Sequence, residues 1–321
     1  DDVINVASGV YVVSTRLAYA GAENRALSII GAGAAATRLD GNRAHQVMVL
    51  ENAEGGAISV AGFTFVNGSN TFGEGIGGGL AIVCNGAGVP HVASCVFSNN
   101  CALRTAGGVY LSTQSGATIT NCIAARNTTV IDDCGGIYIY KDSGAGTLLA
   151  AGNIIHDNHL RSHPGAVGGV DGSGLFIYYL GSYCTMIVSN NVLRNNTLQS
   201  GSGAFYVRAT SGAALHLIDN TFSGNVCADD SEISGGAAHI EVETGLLRII
   251  GNRFVTNRVT GTPGQGDGGG LAVRFNTGGA FELHNNIFER NEANRHGGGA
   301  NISLGNNVTQ ALMVQNLFAG N

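Results

Sequence analysis

The sequence predicts an all-β fold, a single right-handed parallel β-helix solenoid of roughly eleven coils over residues 1–321. Three observations lead there. An aromatic or aliphatic residue followed three positions later by Asn returns roughly every 27–38 residues. A glycine pair, or its Ser-Gly equivalent, lies between successive copies, and a short alternating apolar segment follows each pair.

The first anchor is carried by "CVFSNN", "CIAARN", "NIIHDN", "NVLRNN", "NTFSGN", "NRFVTN", "NIFERN" and "NLFAGN". Its apolar members are Phe97, Ala124, Ile155, Leu193, Phe222, Phe254, Phe288 and Phe318, and its asparagines are Asn100, Asn127, Asn158, Asn196, Asn225, Asn257, Asn291 and Asn321. In stacked coils these asparagines form a column, each hydrogen-bonding local backbone and the Asn of the next coil. The second anchor begins at Gly78, Gly107, Gly135, Ser173, Ser202, Gly235, Gly269 and Gly298. A glycine pair in every module would cost roughly 1 kcal/mol per glycine inside a helix, so helical repeats are disfavoured. The segments after the pairs, such as "LAI", "VYL", "IYI" and "LFI", alternate with the two-residue period of a strand. Before residue 60 the pattern loosens, and "ASGVYVV", "RALSIIGAG" and "TRLDGN" read as pieces of about two more coils. No long amphipathic N-terminal helix is expected. At strand spacing the whole stack is about 50 Å long.

Composition agrees. The chain has 51 glycines and 3 prolines, and only 12% of its residues are charged against 44% apolar. Glycine has no three-residue period, which excludes collagen, and the apolar content excludes a disordered linker. Net charge is −6, and Lys141 is the only lysine among sixteen cationic residues. Without a basic run or a DNA-reading motif, nucleic acid is not an expected partner. No apolar run approaches the roughly 20 residues of a membrane-spanning helix. Missing terminal caps or flanking domains are compatible with the sequence, because exposed solenoid ends need protection.

This combination resembles the pectin-lyase-like right-handed β-helix class, and the "GGA" and "FxxN" repeats are similar to those of bacterial polymorphic outer-membrane proteins. The similarity spans about residues 25–321. It implies a secreted or cell-surface, bacterial protein that adheres to or contacts carbohydrate, with polysaccharide lyase or glycoside hydrolase activity as the alternative and a purely structural subunit as the third reading. The chain lacks the "WiDH" and RxPxxR segments of pectin-degrading relatives, so fold alone does not imply activity.

The strand positions nominate a binding face. The first and third residues after each pair should point inward, giving Leu80/Ile82, Val109/Leu111, Ile137/Ile139 and Leu175/Ile177. The second should point outward, in a column of Ala81, Tyr110, Tyr138, Phe176, Phe205, Ala238, Ala272 and Asn301, with Tyr140 and Tyr178 beside it. Such an aromatic shelf suits the apolar faces of a polysaccharide or surface glycan; stacking within the sheet, a protein receptor or a second copy in an oligomer would use the same residues. In "AAHIEVE", Ile240 and Val242 face inward and His239, Glu241 and Glu243 outward if a bulge shifts the register. Arg208 and Arg274 then bracket Glu241, either as an Arg-Glu-Arg ladder or as a uronate site with His239 and Glu241 in acid/base roles.

Three further pairings share a column. Asp133 and Asp171 occupy equal offsets before their pairs, with Asp132 adjacent, and are candidates for acid/base work or for calcium, the one cofactor the sequence suggests; turn capping is the plainer reading. Asp267 and His296 form a second equal-offset pair, and Asp229, Asp230 and Glu232 add negative charge to a longer loop. Cys95 and Cys122 stand two residues before their anchors, where later modules have Asn, and suit either a disulfide or two stacked thiols.

Overall fold

In the computed structural model the described residues are all those other than 72, 74, 162–170, 182, 200, 211, 229–234 and 262–265. Every strand pairing among them is parallel and joins equivalent segments of successive coils. The first sheet has eleven strands, from Asp2–Val6 to Val308–Val314; the second has eleven, from Gly9–Val12 to Leu317–Ala319; the third has ten, from Leu17–Gly21 to Ala300–Leu304. A narrow fourth ladder of seven short strands runs from Ser69–Asn70 to Arg258–Thr260. The chain visits the first, second, fourth and third sheets in turn, which makes a right-handed parallel β-helix. Among the described residues no helix is long and apolar enough to cross a membrane.

Alternation explains the core. Leu80, Ile82, Val109, Leu111, Ile137, Ile139, Leu175 and Ile177 are completely buried, as their positions predict. They meet the inward residues of the other sheets in one continuous cluster. On the second sheet the anchors stack ring on ring: Phe222, Phe254, Phe288 and Phe318 follow one another at centroid separations of 4.9, 4.8 and 4.6 Å, with their planes nearly parallel.

The predicted Asn column is continuous from Asn100 to Asn321. At each step the backbone N–H and the side-chain Nδ2 both donate to Oδ1 of the next Asn, as from Asn158 to Asn196 at 3.1 and 3.0 Å. A second column, through Asn153, Asn191, Asn220, Asn252, Asn286 and Asn316, repeats the pattern at the corner between the first and second sheets. The left-handed bend is taken by the residue before each of these asparagines, for example Asn195 before Asn196 and Asp219 before Asn220, both at φ 53°. The ladder asparagines themselves hold the coils together.

Cys95 and Cys122 take the second of their two readings, stacked thiols rather than a disulfide; all seven cysteines are free thiols. Both sulfurs are buried in the second Asn column, directly before Asn153 takes it over. Lys141, the lone lysine, is fully buried, its amine donating to the backbone oxygens of Gln114 and Ser143 at the turn into the first sheet.

Candidate functional site

The outer face of the third sheet carries two parallel rows. One reads Ala81, Tyr110, Tyr138, Phe176, Tyr206, His239, Ala272 and Asn301. Phe205 is therefore not in it. It pairs with Leu175 and Ala238 and is completely buried in the core. The cause is one missing residue. Gly203 takes the left-handed position held by Gly172 in the preceding coil, so only Ala204 separates it from the strand. Likewise Gly236 and Ala237 form the pair ahead of the next strand, which brings His239 outward with no bulge.

The row is aligned, as stacking requires, but most of it is covered. Tyr138, Phe176, Tyr206 and His239 expose 6%, 4%, 5% and 3% of their surface, so the expectation that Tyr138 and Phe176 offer open faces to a sugar is overturned. Left-handed turn residues ahead of the strands fold back over these rings. Cys134 packs with Tyr138 and Phe176, and a Cβ on Gly172 would lie 2.8 Å from Cβ of Phe176. The rings bind one another. Tyr110 stacks on Tyr138 at 5.5 Å, Tyr138 meets Phe176 edge-on at 4.8 Å, and Phe176 meets Tyr206 at 4.8 Å. Tyr110 is only partly buried.

The second row is the one that reaches solvent. It runs Ser112, Tyr140, Tyr178, Arg208, Glu241, Arg274 and Ser303. Tyr140 and Tyr178 are half-buried with ring centroids 5.9 Å apart, and the Arg208 guanidinium lies 5.8 Å from the centre of Tyr178. Glu241 sits between the arginines, as the sequence predicts: Oε1 is 3.4 Å from Nη1 of Arg274, and Oε2 is 4.0 Å from Nε of Arg208. The Tyr206 hydroxyl donates to Oε2 of Glu241 at 3.1 Å. Burial, with the charges of Asp171 and Glu241, holds that phenol well above its ordinary pKa.

His239 occupies the covered row beneath this cluster. Its Nε2 is 3.6 Å from Oε1 of Glu241, beyond hydrogen-bond reach, and among the described residues neither ring nitrogen has a hydrogen-bond partner. Burial lowers its pKa to about 4, against the opposing pull of Glu241, so the ring is neutral at pH 7. Its burial removes it from the solvent-facing acid/base role assigned to it.

Asp133 and Asp171 serve the backbone. Oδ1 of Asp133 accepts the N–H of Asp171 at 3.2 Å, and Oδ1 of Asp171 accepts the N–H of Ser202 at 2.9 Å. Burial pushes the Asp133 carboxyl up to about 7, with Asp132 adding to the effect and the Asp171 N–H opposing it. Among the described residues no three His, Cys, Asp or Glu side chains gather as a metal site, and these two carboxylates do not fit calcium. Asp267 repeats the capping, accepting the His296 N–H at 3.1 Å. Its expected contact with the His296 ring is present at 3.2 Å, but Arg295 holds the carboxylate in two bonds of 2.9 and 2.7 Å and keeps it below the usual carboxylate range. Asp229, Asp230 and Glu232 lie outside the described residues.

Tyr206 is the contributor that sequence reasoning missed; counting outward positions back from Ile240 and Val242, rather than forward from the glycines, would have found it. A model of the right-handed β-helix region matches residues 24–187, half of the chain. No curated protein and no solved structure matches it.

Proposed function

Because the chain belongs to the right-handed β-helix family, we propose that it is a secreted or cell-surface module that contacts acidic carbohydrate along the outer face of its third sheet. The supporting observation is the solvent-reaching row in which Tyr140 and Tyr178 lead into Arg208, Glu241 and Arg274. Tyrosine faces suit the apolar side of a sugar ring, and arginine forks suit a carboxylate or sulfate. At 3.4 and 4.0 Å the two arginines hold Glu241 loosely, which leaves donors for an anionic ligand. Side chains from successive coils repeat along the axis at strand spacing, about 4.8 Å, so an extended polymer is met by a series of weak contacts that add up.

A glycan array with the wild-type protein and with Arg208→Ala/Arg274→Ala tests this. Acidic glycans should be retained by the wild type and lost at least about tenfold by the double variant, the loss of roughly one charge-assisted hydrogen bond. Equal binding by both proteins, or no glycan binding by the wild type, overturns the reading. Shortened products from the bound glycan would add catalysis to recognition.

A further inference from the structure

The corner between the first and second sheets is closed in later coils by the Asn153-to-Asn316 ladder. Each of those amides does two jobs. Asn153, for example, gives Nδ2 to the carbonyl of Ile119 at 3.0 Å and to Oδ1 of Asn191 at 2.9 Å. Toward the N-terminus the ladder stops, and Phe63, Cys95 and Cys122 fill the same column. The cysteines do neither job well. Among the described residues the N–H of Cys95 has only the sulfur of Cys122 to donate to, at 3.5 Å, and sulfur is a weak acceptor. The carbonyls that an amide would serve, Val60 and Val92, are met by thiols at 3.8 and 3.9 Å. Two neighbouring coils thus give up amide hydrogen bonds at the same corner, in favour of the one side chain that can do what asparagine cannot.

We propose that Cys95 and Cys122 are a redox-formed staple, linking these two coils covalently where the amide ladder ends. The geometry is close to what the bond needs. The two residues occupy equivalent positions on adjacent coils, and paired strands about 4.8 Å apart fall within the Cα range of disulfides. Cys122 Sγ already lies 3.5 Å from the backbone nitrogen of Cys95, on the side of that residue's own coil. Both sulfurs are buried once the corner has closed, so the bond forms while the chain folds, consuming a small-molecule disulfide such as oxidised glutathione. One cysteine thiolate attacks it, releasing one thiolate and leaving a mixed disulfide; the second cysteine sulfur displaces the other half, and its proton goes to a released thiolate. Two thiols of the protein are oxidised and one small-molecule disulfide is reduced to two thiols. The bond closes a segment whose ends are 27 residues apart, long enough for a cross-link to restrict the unfolded chain substantially.

The test uses the full chain prepared in a reducing cytoplasm and in an oxidising periplasm, with peptide mapping and thermal unfolding of each. The cytoplasmic protein should carry seven free thiols. The periplasmic protein should carry a single Cys95–Cys122 link, and its unfolding midpoint should lie about 5 °C higher. In Cys95→Ser/Cys122→Ser the two preparations should unfold together. Free or differently paired Cys95 and Cys122 in the periplasmic protein, or a linked protein that unfolds no higher than the reduced one, overturns the proposal.

Discussion

Asn196→Ala is expected to destabilise the protein by about 3–5 kcal/mol, read as a fall in the midpoint of urea unfolding with little change in slope. Asn196 is completely buried, and its side chain and backbone N–H make five hydrogen bonds with the coils on either side. Its Oδ1 accepts the backbone N–H of Asn158 at 3.1 Å, and its Nδ2 donates to the carbonyl of Ile155 at 2.9 Å. Alanine leaves the Asn158 N–H buried without its partner, at roughly 1–3 kcal/mol, removes the three other hydrogen bonds of the amide side chain, and adds a small cavity. Asn225 loses less, because the backbone N–H at position 196 still reaches its Oδ1. The exposed neighbour Arg194 is the control; its replacement by alanine should stay within about 0.5 kcal/mol. A loss for Asn196→Ala no larger than the control's would mean that the ladder is not what holds the coils together.

His239→Phe should stabilise the protein, and the gain should grow in acid. Two buried ring nitrogens without partners cost roughly 1–3 kcal/mol that a phenyl ring against Tyr206 avoids; the His239 and Tyr206 ring centroids are 5.1 Å apart. The pH term has a definite sign. The folded pKa of about 4 is depressed below the unfolded value of about 6.5, so the contribution of His239 is fully present above pH 6.5 and is lost as pH falls toward 4. At pH 5 the wild type has lost about 2 kcal/mol from this group, which the variant keeps. Denaturation at pH 7 and pH 5 should show a gain of about 2 kcal/mol growing to about 4. Asp133 works in the opposite direction, since its raised pKa favours the folded state below about pH 7, but it acts alike in both proteins. Parallel pH profiles for the two proteins would contradict the burial and neutrality of His239.

Much of this was legible because a solenoid turns sequence offsets into neighbours. The asparagine anchors name their own ladder, and the Arg208–Glu241–Arg274 bracket follows from counting strand positions. Two things were hidden. Counting from the glycines failed where the coil before Phe205 lost one residue, because alternation turns a one-residue error into a change of face. And alternation says which way Tyr138 and Phe176 point, not what lies above them. The cover comes partly from residues such as Cys134 at φ 58° and Gly172 at φ 68°, and only the folded turn shows where they come to rest. Asp133 and Asp171 looked like a chemical pair because equal offsets bring carboxylates together; the same offset also delivers a backbone N–H to each, and that contact is the one formed.

The assignment of recognition to the third sheet is tested most directly by arginine footprinting with phenylglyoxal, in the presence and absence of an oligomer of a uronic acid. Arg208 and Arg274 should become protected when the oligomer is bound, while Arg194 and Arg253, exposed on the second sheet, should react at the same rate throughout. Protection of Arg194 and Arg253 instead, or unchanged reactivity of Arg208 and Arg274 with the oligomer bound, would contradict the account.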